Sequence, residues 1–319
     1  MSEYLNPVQR HTIERLLSSP TARTEWPTWV ALVAVYAAWV AVICGSVVLG
    51  PYLTTPLLIL ICAWYMSIQH ELVHGHPTRI RWLNKALGFA PLAIWFPYTL
   101  YAESHLRHHN DKNLTLPDID PETHYVSGAR WDTSGKVMRL LYTARKSFWG
   151  RFFFGPAMSL MPTFCEAVEQ PLKGNFKYLP MWLTHLALAG VMLAVVNSYA
   201  GISALHYVFG IAYPALSLAM VRSYYEHRAA DNCKHRIVIN EASWPMRFLY
   251  LNNNYHLVHH DLPSLPWYLL PQVYHANRAE YIARCDDFLI PGYGKLMRQF
   301  GFRPVDAPVH PIARGPRSL

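Results

Sequence analysis

The sequence predicts an all-α integral membrane protein with four transmembrane helices and a cytoplasmic helical cap. Three observations lead to this fold class. Hydrophobic residues make up 52% of the 319-residue chain and charged residues only 15%, against about 25% in soluble domains. Two long stretches contain no Asp, Glu, Lys or Arg, and histidine occurs 17 times. This composition argues against an ordinary cytosolic enzyme and against a disordered chain.

The two uncharged stretches, residues 26–69 and 178–221, are each 44 residues long. A membrane-spanning helix needs about 20 apolar residues, so each stretch is long enough for two spans and a tight turn. Gly50-Pro51 interrupts the first stretch and Tyr199-Ala200-Gly201 interrupts the second, as turn residues do. We therefore expect two helical hairpins, which together give four transmembrane helices.

Charge predicts the orientation of these hairpins. The segment between them carries 13 Lys and Arg residues, and residues 1–25 form an arm that carries Arg10, Arg15 and Arg23. The positive-inside rule then places both termini and the central segment in the cytoplasm. The net charge of +8 favours anionic membrane lipids as partners. No dense basic stripe lies beside aromatic residues, so we do not expect nucleic acid to bind.

The central segment contains two shorter apolar runs, residues 86–102 and 152–165. Each contains two prolines and is too short to span a membrane comfortably, so we expect interfacial or re-entrant helices. Core helices of the cytoplasmic cap are the alternative. We expect residues 26–300 to form a single membrane domain and residues 301–319, which are rich in Pro and Arg, to form an irregular tail.

Nine histidines fall in three clusters, which we call boxes 1, 2 and 3. Their sequences are His70-Glu-Leu-Val-His-Gly-His76, His105-Leu-Arg-His-His109 and His256-Leu-Val-His-His260. Positions i, i+3 and i+4 share one face of a helix, so the histidines of each box are expected to converge on one point. Imidazole is a common metal ligand. Scattered structural histidines are the alternative, but they rarely produce three such clusters.

The boxes lie close to the ends of the hairpins. Box 1 begins directly after the first uncharged stretch, and His227 follows the second by six residues. Three converging faces offer more ring nitrogens than one ion needs, which suits two ions. Ligation by histidine alone suits iron, copper, nickel or zinc. The predicted ligands are His70, His74, His105, His108, His109, His227, His256, His259 and His260.

Acidic residues accompany these histidines. A metal-bound imidazole usually donates its second N–H to a carboxylate or a carbonyl. Candidates for this supporting role are Glu71, Glu103, Glu226 and Asp261, and His76 is a candidate for either a further ligand or a supporting residue. Solvated surface acids are the alternative interpretation.

The three boxes, with the first at the end of a transmembrane hairpin and an extra histidine after the second hairpin, resemble the integral-membrane fatty acid desaturase and hydroxylase superfamily. The resemblance covers roughly residues 26–275, and residues 70–79 are similar to the stand-alone bacterial branch. It implies a non-haem di-iron centre that uses O₂ and two electrons to oxidise an unactivated C–H bond in a lipid-like substrate. Fatty acyl desaturation is the leading outcome, with hydroxylation or oxidative decarboxylation to a terminal alkene as alternatives.

The same resemblance implies further partners and a location. Relatives with a fused cytochrome domain carry a His-Pro-Gly-Gly motif that this sequence lacks, so we expect a separate ferredoxin or rubredoxin with its reductase as electron donor. The expected location is the bacterial inner membrane, with the substrate entering from the bilayer.

Two functions of other classes remain open from the sequence. His70, Glu71 and His74 match the His-Glu-x-x-His motif of zinc metalloproteases, in which the Glu is the general base. A metal transporter would also use histidines, although its ligands should lie near the middle of the membrane. The protease alternative leaves boxes 2 and 3 without a role, and the transporter alternative conflicts with predicted ligands that lie at the ends of the spans.

Overall fold

A computed structural model describes residues 3–110 and 113–311 of the chain. In this described part, helices dominate and one short parallel pair of strands is present. The chain divides into two compact units, each built from segments that are distant in sequence. We call them the span unit (residues 25–102 and 155–219) and the histidine-rich unit (the described parts of residues 1–24, 103–154 and 220–319).

Among the described residues, three helices are long and apolar enough to cross a membrane: Trp26–Cys44, Pro51–Val73 and Leu179–Ala200. The first two are the predicted arms of the first hairpin. Gly50 between them has a φ of 68°, which favours glycine because it has no Cβ. Leu179–Ala200 ends at Gly201, which is also left-handed, as is common after a helix C-terminus. Both predicted turns are therefore present.

The second half of the second uncharged stretch is less regular. It forms a π-helix over His206–Ala212 and continues as an α-helix over Tyr213–Arg222. Neither piece reaches the length of a span by itself. The fourth transmembrane helix therefore stays a prediction, as does the cytoplasmic position of the cap.

The span unit is held together by apolar packing and by hydrogen bonds between buried polar groups. Tyr65 donates from its hydroxyl to the carbonyl of Gly88 over 2.8 Å. Trp39 Nε1 donates to the Tyr207 hydroxyl over 3.0 Å, and that hydroxyl donates to the Leu92 carbonyl over 2.8 Å. Buried polar groups in an apolar environment need such partners. The span unit also contains two short helices, Ser46–Leu49 and Arg81–Gly88.

The two shorter apolar runs differ from expectation in opposite ways. Residues 89–97 form turns and bends, so a helix over 86–102 is wrong; the nearest helices end at Gly88 and begin at Tyr98. Pro91 and Pro97 explain the interruption, because proline removes a backbone donor. Residues 152–165 instead lie inside a longer helix, Phe148–Leu172, which tolerates three internal prolines.

The histidine-rich unit is built from short helices around an apolar core. Tyr255, Leu257 and Val258 of this core belong to box 3 or adjoin it, and all are at most 2% exposed. The strands Ile239–Asn240 and Leu289–Ile290 pair in parallel. Box 2 lies in the helix Tyr98–Asn110, whose residues 103–110 belong to this unit. The helices that lie wholly within the unit are Pro7–Leu17, Pro20–Thr24, Gly128–Thr133, Lys136–Ala144, Trp244–Leu249, His256–Asp261, Leu270–Ala276, Arg278–Arg284 and Tyr293–Phe300, with 3₁₀ turns at Ser223–Tyr225 and Cys233–Arg236.

The described part of the predicted tail, residues 301–311, contains no helix. It is nevertheless anchored to its own unit. Val309 forms a parallel bridge with Val126, and His310 Nε2 lies 3.0 Å from the Thr115 hydroxyl. Residues 312–319 of the predicted tail lie outside the described residues.

Candidate metal centre

Seven of the nine predicted ligands lie in the histidine-rich unit, where they converge into two groups. Within each group, one ring nitrogen from every residue lies within 4.8 Å of the others. The first histidine group contains His105, His109 and His259. The second histidine group contains His108, His227, His256 and His260.

The expectation that each box converges on one point is wrong. Box 2 sends His105 and His109 to the first group and His108 to the second. In box 3 the assignment is reversed: His256 and His260 join the second group, and His259 joins the first. The physical reason is that neighbouring residues in a helix differ in direction by about 100°. Adjacent histidines within a box therefore point to different sites.

The nitrogen separations fit shared ligation. In the second group, His227 Nε2 lies 3.1 Å from His108 Nε2 and 3.1 Å from His256 Nε2. His260 Nε2 is 3.1 Å from His256 Nε2. In the first group, His259 Nε2 is 3.2 Å from His109 Nε2. Two nitrogens each about 2.1 Å from one ion lie about 3.0–3.5 Å apart at right-angled or tetrahedral arrangements. The residues therefore fit one metal ion per group.

Within the two histidine groups, the opposite ring nitrogen of three predicted ligands has an acceptor. His105 Nδ1 lies 2.9 Å from Glu122 Oε1, and His108 Nδ1 lies 2.8 Å from Asp120 Oδ1. His256 Nδ1 is 3.3 Å from Asn253 Oδ1. An acceptor beside Nδ1 favours the ring proton on Nδ1, so the lone pair of Nε2 is available to a metal.

Sequence reasoning missed these three acceptors. Asp120 and Glu122 follow box 2 by more than ten residues and reach it through a turn after the helix. Asp118, Asp120 and Glu122 form an alternating acidic run, which was the available signal. Asn253 stands three residues before box 3, within the run Asn252-Asn253-Asn254.

The predicted supporting residues have varied positions. Glu226 Oε1 lies 3.6 Å from His256 Nδ1 and 3.7 Å from Arg222 Nε. Glu71 Oε1 lies 3.3 Å from His70 Nδ1. Asp261 pairs instead with Arg284 over 3.0 Å, and Glu103 is exposed. His76 Nδ1 pairs with Glu25 Oε1 over 2.6 Å, in the span unit.

His70 and His74 belong to the span unit. They end the second span, where the rings lie one helical turn apart with centroids separated by 4.8 Å. His70 is only 2% exposed. His74 follows the last residue of the helix Pro51–Val73. These two histidines therefore offer adjacent ring nitrogens at the predicted end of the first hairpin.

Local backbone structure positions box 3. Leu251 and Asn252 have left-handed φ values of 47° and 56°, which reverse the chain before the helix His256–Asp261. Asn254 anchors this turn, because its side chain donates to the Asn240 carbonyl over 2.6 Å and its own carbonyl accepts from the Asn240 N–H. Box 3 is thereby tied to the strand pair.

His227 lies in an extended segment. It forms an antiparallel bridge with Ile237. The Arg228 N–H donates to the Arg236 carbonyl over 3.0 Å, and the Val238 N–H donates to the Glu226 carbonyl over 3.0 Å. The backbone on both sides of His227 is therefore held in place.

The electrostatics of the site favour neutral imidazoles at several positions. Burial, and next the charge of His108, lowers the pKa of His227 to about 3. Burial also lowers the pKa values of His256 and His260 well below normal. Burial would raise the pKa of Glu122, but the charges of His105 and His108 lower it. Neutral imidazoles beside ionised carboxylates are the protonation states that metal binding requires. His108 is the exception: burial would lower its pKa, but the charges of Glu122 and Asp120 raise it to about 9, so this ring must lose a proton to bind a metal.

The sequence matches the family described as fatty acid desaturase over residues 48–286, a range that contains all nine predicted ligands. The acyl-lipid (9-3)-desaturase of Physcomitrium patens is 25% identical over 135 residues. That alignment covers 38% of this chain and 26% of the relative, so the chain matches about a quarter of that protein's length.

Proposed function

This chain belongs to the fatty acid desaturase family, and we propose that it catalyses the O₂-dependent oxidation of an unactivated C–H bond in a lipid-like substrate. The observation that carries the proposal is the pair of histidine groups, whose nitrogens are spaced for two metal ions. Fatty acyl desaturation is the reaction we propose. Hydroxylation and oxidative decarboxylation to a terminal alkene are alternative outcomes at the same site.

The proposed ions are iron. We assign His108, His227, His256 and His260 to one ion, and we propose that His70 and His74 join His105, His109 and His259 at the other. Imidazole binds iron, copper, nickel and zinc, and zinc does not suit an O₂-dependent oxidation because it has no redox chemistry. When bound, the two irons supply the activation of O₂ and accept electrons from a donor.

The protein side chains position and protect this centre. Asp120, Glu122 and Asn253 hold ligand rings through Nδ1, so each Nε2 keeps its direction through a catalytic cycle. His105, His108, His256 and His259 are at most 2% exposed. Such burial keeps bulk water away from the reacting bond, which protects reactive species from side reactions.

We further propose that residues 26–300 act as a single desaturase-like domain in the bacterial inner membrane. In this arrangement four spans leave both termini and the histidine groups on the cytoplasmic side, where Lys and Arg residues are concentrated. Electrons come from a separate ferredoxin or rubredoxin with its reductase. The substrate comes from the bilayer.

Product analysis tests this proposal. A host would express wild type, His260→Ala or His11→Ala, together with a ferredoxin and its reductase. His11 is an exposed histidine of the first helix, so it is the matched control. We expect a new product in wild type and His11→Ala, and none in His260→Ala, by mass spectrometry of lipids, fatty acids and headspace volatiles.

The mass change names the reaction. Loss of two hydrogens identifies desaturation, gain of one oxygen identifies hydroxylation, and an alkene one carbon shorter identifies decarboxylation. A product that persists in His260→Ala would contradict the proposal, because the second histidine group would then be dispensable.

A further inference from the structure

A cluster of three buried cations lies in the histidine-rich unit, where the helix Phe148–Leu172 begins. Arg145, Lys146 and Arg151 are 9%, 4% and 1% exposed. Lys146 Nζ pairs with Asp306 Oδ1 over 2.8 Å. Among the described residues, neither Arg145 nor Arg151 has a carboxylate within ion-pair distance. Of these three buried cations, only Lys146 forms a direct ion pair with a carboxylate.

Arg151 is the least compensated of the three. Its Nε and Nη1 atoms are buried and have no hydrogen-bond partner among the described residues, and the same holds for Arg145 Nε. Leaving a charged group buried without a partner costs several kcal/mol, and native proteins pair nearly all such groups. The unused donors of Arg151 therefore point to a missing anionic partner.

The cluster is bonded to the segments that carry the metal-centre residues. Arg145 Nη2 donates to the carbonyl of His124 over 2.9 Å, and His124 is two residues after Glu122. The Tyr224 hydroxyl donates to the carbonyl of Lys146 over 2.9 Å, and Tyr224 is three residues before His227. The cations are thus hydrogen-bonded close in sequence to Glu122, which contacts the first histidine group, and to His227, which belongs to the second.

The three cations also act on one another. Burial, and then the charge of Arg145, lowers the pKa of Arg151 to about 9. Burial lowers the pKa of Lys146 to about 8 despite its pairing with Asp306, and the charges of Arg151 and Arg145 contribute. Mutual repulsion between these cations would be relieved by an anion between them.

We propose that Arg151, assisted by Arg145, forms an anion-binding subsite for the oxyanion head group of an amphipathic acyl substrate. This inference rests on the proposed function and adds the head-group chemistry to it. The planar guanidinium matches two oxygens of a carboxylate or a phosphate and forms charge-assisted hydrogen bonds with them. The shared chemistry is an oxyanion, which a fatty acid or a phosphorylated lipid would supply.

Direct binding measurements test the subsite without turnover. The full chain in lipid nanodiscs would be titrated with laurate, dodecyl phosphate or dodecanol, which share a twelve-carbon chain. Variants are Arg151→Gln and Arg151→Lys, and Arg303→Gln is the control because Arg303 is an exposed arginine of the same unit.

We expect Arg151→Gln to weaken the binding of at least one of the two anionic probes by at least about tenfold, since charged hydrogen bonds are lost. Dodecanol binding should be unchanged. Arg151→Lys should bind the anion with intermediate affinity, because lysine keeps the positive charge but loses the paired donors of the guanidinium. Arg303→Gln should match wild type. Selective weakening of laurate identifies a carboxylate source, and selective weakening of dodecyl phosphate identifies a phosphate source.

A purely structural role of Arg151, such as a water-bridged pair with Glu226, predicts other results. Equal weakening of all three probes in Arg151→Gln, or no weakening of either anion, would overturn the subsite. If Arg151→Gln does not fold, Arg151→Lys and Arg145→Gln decide by the same comparison of anions with dodecanol. His260→Ala should still bind the anion, so failure of the oxidase proposal would leave this result readable.

Discussion

At the residue scale, the candidate centre depends on the Nδ1 atoms of its histidines as much as on Nε2. Asp120 uses both carboxylate oxygens, since Oδ1 accepts from His108 and from the Glu122 N–H while Oδ2 accepts from the Thr115 N–H. One carboxylate thereby fixes the ring of a proposed ligand and the turn that presents Glu122 to His105. Substitution at this position should disturb both histidine groups, with the second group affected more directly.

Asp120→Asn tests this role. Asparagine has one acceptor oxygen where Asp120 uses two, so either the His108 ring or the turn loses its partner. We expect iron affinity of the second histidine group to fall by about 10–100-fold, measured as iron retained against increasing chelator. Asp118→Asn is the control, because Asp118 is exposed and its left-handed φ of 66° suits asparagine. Equal iron retention in both variants would show that Asp120 does not orient a ligand.

At the element scale, features marked by a pattern within one segment were predictable from the sequence. Contacts between residues that a turn brings together were not. The spans, the Gly50 turn and the three boxes follow from composition and spacing within short stretches. The alternating assignment of box residues to two groups needs the positions of both box helices, which one segment does not contain. Asp120 and Glu122 contact the histidines only after the chain has turned back, so no periodicity marks them.

The predicted fourth span can be tested by labelling two native cysteines. Cys44 ends the first span and Cys233 follows the second uncharged stretch, and both are exposed free thiols. Four spans with a cytoplasmic N-terminus place Cys44 outside and Cys233 inside. In variants that keep one of these cysteines, a membrane-impermeant maleimide applied to spheroplasts should label Cys44 alone. Labelling of both would indicate three spans, because residue 233 would then lie outside.

At the scale of the whole molecule, membrane insertion and most of the proposed metal ligation use different parts of one sequence. The span unit exposes large apolar side chains such as Val33, Leu186 and Val191, each at least 60% exposed, as suits contact with lipid. The histidine-rich unit gathers seven predicted ligands from residues 105 to 260, so its two histidine groups form only when the unit has folded. Metal binding should therefore stabilise the folded chain.

The central claim is that two separate histidine groups each hold one ion, and iron stoichiometry tests it most directly. Purified wild type, His105→Ala, His108→Ala and the His11→Ala control would be reconstituted with Fe²⁺ under anaerobic, zinc-free conditions. His105→Ala removes a predicted ligand from the first group only, and His108→Ala removes one from the second group only. We therefore expect about one iron per chain in each of these variants, and about two in wild type and His11→Ala. One iron in wild type, or full loss of iron in both variants, would contradict two independent groups.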